Sequence, residues 1–213
     1  MHTIKQNYQL MLEKTIRSLQ GKRPRLLLHS CCAPCSSYVM EYLAAHFDIT
    51  IFYYNPNISP ESEFRFRAEE QTRLIEEMGL GISYQLGRYD PERFFALAKG
   101  LEQEKEGGER CARCFRLRLE ETAQLAKEQG FDYFTTTLSI SPHKNAQVLN
   151  RLGEEIGNAY GVPYLFSDFK KKNGYRRSCE LSTEYNLYRQ DYCGCIYSKL
   201  QSLGTPSQTL PRE

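Results

Sequence analysis

Tryptophan is absent from the 213 residues, and no apolar run approaches the roughly 18 residues that a membrane-crossing helix needs. The amino end, MHTIKQNYQLMLEK, lacks the apolar core of a signal peptide. These absences predict a soluble, cytoplasmic chain with no membrane partner. An excess of one charge is missing too, since 28 Lys and Arg face 26 Asp and Glu for a formal net charge of +2. Near balance excludes a global field for capturing polyanions, so any nucleic-acid contact must rest on a local patch. No internal repeat or linker breaks the chain. Its length suits one domain over residues 1–203, with a peripheral helix over 1–21. The polar end GTPSQTLPRE, residues 204–213, reads as a flexible tail.

Apolar spacing carries the fold class. RLLLH, DITIFYY, ISYQL, FDYFTTTL and PYLF read as strands. Helical patterns separate them: SYVMEYLAAHF, residues 61–78, residues 91–106, CARCFRLRLEETAQLAKEQG and NAQVLNRLGEEIGNAYG. A last helical segment runs toward DYCGC. Alternation of this kind predicts an α/β fold with a mainly parallel, doubly wound sheet. Ligands of such sheets gather outside the carboxyl ends of the strands, where strand order reverses.

What is abundant is cysteine, with eight residues. In a reducing compartment eight thiols point to metal ligation or redox chemistry rather than to structural staples. Cys31, Cys32 and Cys35 follow the first strand in HSCCAPC, at the corner where many α/β proteins carry a glycine-rich phosphate loop. Cys111 and Cys114 form a Cys-x-x-Cys pair at a predicted helix start, where free N–H groups and the helix dipole favour thiolates. Arg110, Arg113, Arg116 and Arg118 surround that pair, either to hold an anionic centre or as a solvated face. Two thiols from each place suit a [4Fe–4S] cluster, whose separate irons can take adjacent ligands such as Cys31 and Cys32. Zinc and plain dithiol chemistry stay open beside it. Cys35 would be a fifth thiol at the site.

Cys193 and Cys195 sit in DYCGC. Two Cα atoms one residue apart are at most about 7 Å distant, and Gly194 permits a closer turn. A bridge between them would be strained and labile, which suits a switchable two-electron store; two incidental thiols are the plainer reading. Cys179 stands alone and reads as packed. Tyr53, Tyr54 and Asn55 end the second strand, either as aromatic faces and an amide near the switch point or as plain core. His143, Lys144 and Asn145 follow the fourth strand at the same edge. KKKNGYRR, with Lys171 and Arg176, reads either as a local patch for phosphate contacts or as a solvated loop. His29 is either a proton donor or a packed strand-end histidine.

Assembled, LLHSCCAPCS, FYYNPNISPESEFRFR, ERCARCFRLRLEETAQLA, TTTLSISPHKN and YRQDYCGCIYS resemble the cobalamin-independent epoxyqueuosine reductase family, QueH. The motifs run in order from Leu26 to Ser198. The resemblance implies a fold related to adenine-nucleotide-binding, ATP-pyrophosphatase-like α/β proteins, without their Ser-Gly-Gly phosphate loop. It implies a two-electron deoxygenation of epoxyqueuosine to queuosine at the wobble position of tRNA, fed by an unidentified electron donor. It places a [4Fe–4S] cluster on Cys31, Cys32, Cys111 and Cys114, an additional iron ion beside Cys35, and a redox-active disulfide on catalytic Cys193 and Cys195. The competing expectation is a zinc-stabilised RNA-binding module without catalysis.

Overall fold

The computed structural model describes residues 6–204. Ile4, at the start of the expected first helix, and the tail from residue 205 onward lie outside the described residues.

Four strands form one sheet: β1 (Arg25–His29), β2 (Asp48–Tyr53), β3 (Ser83–Leu86) and β4 (Tyr133–Thr136). All neighbours pair in parallel, in the order β3-β2-β1-β4. The chain therefore steps outward from β1 to β3 and returns to the other side of β1. This makes the carboxyl ends of β1 and β4 the two walls of the switch point. PYLF, expected as a fifth strand, adds only a single bridge, between Tyr164 and Phe134.

Helices cover both faces because the strands are apolar on both. Leu27, Phe52 and Phe134 turn to one side and meet Phe115, Leu119, Leu149 and Ile156. These belong to α5 (Glu109–Glu128) and α6 (Ala146–Tyr160). Leu26, Leu28, Ile49 and Ile51 turn to the other side, as period-two alternation requires. They meet Leu12 of α1 (Tyr8–Ser18), Val39 and Leu43 of α2 (Ala33–Leu43) and Leu74 of α3 (Glu61–Met78). α7 (Gly174–Glu184) packs on α2. Among the described residues no helix is long and apolar enough to cross a membrane.

Two further elements differ from expectation. The helix over 91–106 stops early: α4 spans Pro91–Ala98, and Gly100 then takes a left-handed φ of 80°. The stretch that follows becomes a loop carrying Glu106. The last expected helix, running toward DYCGC, ends at Glu184, and α8 (Ile196–Ser202) follows the segment that holds Cys193.

Gly153 marks a close approach of α6 to the bridge residue Tyr164. A Cβ built there would lie 2.5 Å from ring atoms of Tyr164, whose ring packs edge-on to Phe134. Gly153→Ala gains up to about 1 kcal/mol of helix propensity but overpacks a buried ring at about 1–3 kcal/mol. A net loss of about 1–2 kcal/mol is expected, read as a lower denaturation midpoint.

Candidate metal centre and cavity

The corner after β1 is built by backbone and hydroxyl bonds. Ser30 N donates to Phe52 O at 3.0 Å, and Asn55 Nδ2 donates to Ser30 O at 2.8 Å. Cys32 takes the N-cap position of α2, with Pro34 in the first turn. Proline suits that position because the N–H it lacks has no helical partner there. Ser30 Oγ and Ser36 Oγ lie 2.6 Å and 2.8 Å from Gln71 Oε1 of α3, and Ser36 Oγ lies 2.9 Å from Cys32 O. Gln71 is fully buried and carries no chemistry of its own. No pattern in the sequence distinguishes it from the other polar residues of a long charged helix.

The Sγ atoms of Cys31, Cys32 and Cys35 all lie within 4.8 Å of one another, with Cys31 and Cys32 at 3.9 Å. Hydrogen bonds from Cys31 and Cys35 hold the Cys32 thiol well below its usual pKa despite burial, and its place at a helix start acts in the same direction. The cost falls on the partners. Cys31 is pushed up to about 12, chiefly by its hydrogen bond to Cys32, and Cys35 is raised by Cys31, Cys32 and burial. A single soft or borderline cation fits this donor set, and its binding would release thiol protons.

The expected [4Fe–4S] cluster is corrected here. It needs Cys111 and Cys114 beside Cys31 and Cys32, but the three-thiol group assembled among the described residues contains neither. Cys111 accepts a bond from Gly107 N at 3.3 Å. Cys114 packs with Phe94, Ala98 and Cys195, and burial pushes its thiol up to about 11. Cys35, expected as an extra ligand, is instead a full member of the triad. The observed donor set suits one zinc or iron ion. The expected redox disulfide is likewise corrected: Cys193 and Cys195 are both free thiols. Cys193 lines the cavity. Cys195 caps α8, accepting from Ser198 N at 3.3 Å, and burial pushes its thiol up to about 12. Cys179 is half-buried in α7.

The four arginines of ERCARCFRLR divide by helix face. Arg110 and Arg118 share the inward stripe with Cys114 at i, i+4 spacing, and both are 1% exposed. Arg118 donates to Cys114 O and to Asn55 Oδ1, each at 3.3 Å. Arg113 and Arg116 face out and pair with Glu109 and Glu155. A third buried guanidinium, Arg67 of α3, pairs its Nε with Glu63 and lies over the ring of Tyr192. Burial lowers the pKa of Arg67, but Cys32 and Glu63 beside it more than offset this and raise it.

The thiols open onto a cavity of about 290 Å³, near the low end of small-ligand pockets at about 300–1,000 Å³. Its walls include Tyr175, Arg189 and Tyr192, together with His143 and Lys144. Lys144 is buried and its Nζ lies 2.5 Å from Glu106 Oε1. Asn145 caps α6, accepting from Gln147 N and Val148 N. Tyr53, Tyr54 and Asn55 are fully buried and are not among the cavity walls. Tyr54 stacks on Phe52 and bonds Asp90 and Arg93. The aromatic faces at the cavity are those of Tyr175 and Tyr192, which the alternation pattern had no means to single out. His29 is fully buried between Thr136 Oγ1 and Tyr54 O. Burial, with Arg118 nearby, lowers its pKa to about 3, so it is a neutral packing residue. Lys171 and Arg176 are exposed, with Arg176 paired to Glu180. Lys170, Lys172 and Arg177 of the same stretch pair with Asp168, Glu13 and Glu41.

The sequence matches the family described as epoxyqueuosine reductase QueH over residues 26–201. An epoxyqueuosine reductase QueH of Staphylococcus epidermidis is 46% identical over 209 residues, covering 94% of this chain and 88% of its own. One from Streptococcus pyogenes is 44% identical over 204 residues, 92% and 80% of the two chains. One from Thermotoga maritima is 37% identical over 179 residues, 83% and 91%.

Proposed function

The chain belongs to the epoxyqueuosine reductase QueH family and is an oxidoreductase, and from that premise we propose that its cysteine-lined cavity deoxygenates epoxyqueuosine in tRNA. The observation that carries this reading is the convergence of Cys31, Cys32 and Cys35 on a cavity at the switch point of the sheet. The overall change takes up two electrons and two protons, forms a carbon–carbon double bond and releases the oxygen as water. The electrons come from an external donor.

Cys31, Cys32 and Cys35 would hold a single zinc or iron ion, which when bound supplies Lewis acidity toward an oxygen. The base must leave the anticodon stack to reach the cavity. Tyr175 and Tyr192 offer flat faces to receive it, and stacking contributes about 1–3 kcal/mol per base. Cys193 sets a thiol on the cavity wall as a catalytic candidate, with Cys195 behind it, while His143 and Lys144 meet the substrate from the β4 side. Exposed Lys171 and Arg176, on either side of Tyr175, suit phosphate contacts that weaken with salt. The parallel order β3-β2-β1-β4 supports kinship with the adenine-nucleotide-binding folds at the level of topology.

The test pairs metal analysis with turnover on an anticodon stem-loop carrying epoxyqueuosine. Expected are one zinc or iron ion per chain without acid-labile sulfide, and loss of one oxygen from the RNA by mass spectrometry under chemical reduction. Protein that binds the RNA and the ion but never removes the oxygen would leave a zinc-stabilised binding module instead.

A further inference from the structure

We propose that Lys144 is the acid that meets the epoxide oxygen, held in place by a Glu106–Ser198 clasp that also fixes Cys193. This rests on the cavity being the epoxyqueuosine site. Four segments meet in the clasp. Lys144, in the loop after β4, pairs with Glu106 Oε1 at 2.5 Å. Glu106, in the loop before α5, accepts at Oε2 from Ser198 Oγ at 2.9 Å. Ser198, in the first turn of α8, accepts in turn from Cys193 N at 3.0 Å. Lys144, Glu106, Cys193 and the three triad thiols all line one cavity.

Lys144 is an odd group to bury for stability alone. Taking an ammonium out of water costs several kcal/mol, and its partner Glu106 keeps a third of its side chain exposed. The Lys144 side chain is only 6% exposed. Burial lowers its pKa, yet Cys193 and Glu106 more than offset this and hold it above the usual lysine range. The group therefore enters the reaction as an ammonium, the form able to give a proton to an oxygen gaining charge.

The chemistry needs such a group. As the first C–O bond of the three-membered ring breaks, its bonding pair stays on oxygen. The Lys144 proton joins that oxygen to give a hydroxyl, leaving a neutral amine. The two electrons of the reduction enter at carbon. Departure of the hydroxyl with a second proton, from solvent, completes the double bond and the water. Glu106, whose side chain is one-third exposed, gives the amine a route to a fresh proton.

The experiment uses the metal-loaded enzyme and the modified stem-loop RNA. Lys144→Met is expected to lower kcat by about 10²–10⁴, with KM within about threefold of wild type and metal content unchanged. Lys144→Ala should regain turnover when methylammonium is added, in proportion to its concentration. Since Lys144→Met leaves the Glu106 carboxylate with only Ser198 as a partner, the double variant Lys144→Met/Glu106→Gln is the folding control. It should match wild type in denaturation midpoint and ion content and share the low kcat. Turnover of Lys144→Met within about threefold of wild type, or a loss that amine never restores, would overturn the assignment. Failure of the wild-type enzyme to remove the oxygen would instead overturn the epoxyqueuosine reading beneath it.

Discussion

Exchange of Cys35 for serine is expected to strip the bound ion and with it the turnover, whereas the same exchange at Cys114 leaves the ion in place. The contrast follows from where the sulfurs point. Cys35 has its Sγ within 4.8 Å of both neighbours in the triad, and Cys114 packs against Phe94 and Cys195. Four-ligand zinc sites bind with about 10–16 kcal/mol, or about 3 kcal/mol per ligand. Loss of one ligand thus weakens binding by at least about 100-fold, and more where only three protein ligands share the task. Cys114→Ser removes a buried thiol from an apolar cluster and should act on stability alone. Competition with a graded series of chelators reads both variants on one scale. Equal loss of the ion in the two would show that the triad is not the metal site.

The layered sheet was legible because it rests on short-range rules. Apolar runs of strand length alternate with helical periods, and that alternation alone demands parallel strands covered on both faces. The position of the cysteine corner followed from the same rule, since a loop after β1 lies at the carboxyl edge wherever β1 falls in the order. Ligand grouping was not legible. Spacing says which thiols are near in sequence, and HSCCAPC already held the whole triad; it was the distant pair Cys111–Cys114 that was wrongly drawn in. Arg110 and Arg118 could have been separated from Arg113 and Arg116 by helix period, since each buried one is four residues from Cys114. Tyr175 and Tyr192 could not have been preferred over Tyr53 and Tyr54, because exposure at a cavity wall is set by how α7 and the segment before α8 fold back. Nor could Lys144 be joined to Glu106 and Ser198, which lie 38 and 54 residues away along the chain.

Gln71 tests whether the corner beneath the metal site is as important as the ligands themselves. Its Oε1 meets two buried hydroxyls, Ser30 and Ser36, on either side of the cysteine pair. Ser36 also lies within reach of the Cys32 carbonyl, so its one proton is divided between two acceptors. Gln71→Leu removes one of them and leaves Ser30 with only Ser36 as a near partner. Loss of two buried hydrogen bonds, partly recovered as the serine hydroxyls rotate, costs about 2–3 kcal/mol. The denaturation midpoint of the metal-free protein should fall accordingly. The larger consequence is at the ion. Groups that orient metal ligands typically change affinity by about 10–100-fold when lost, and Gln71 orients the segment bearing all three. Because Gln71 bonds Ser30, Ser36 and Met40 Sδ rather than any cysteine sulfur, a merely mechanical role would lower stability and spare the chelator titration. A Gln71→Leu protein that is less stable yet binds the ion as tightly as wild type would therefore confine Gln71 to packing. A weakened ion at unchanged ligand count would place the rigidity of the β1–α2 corner inside the metal site.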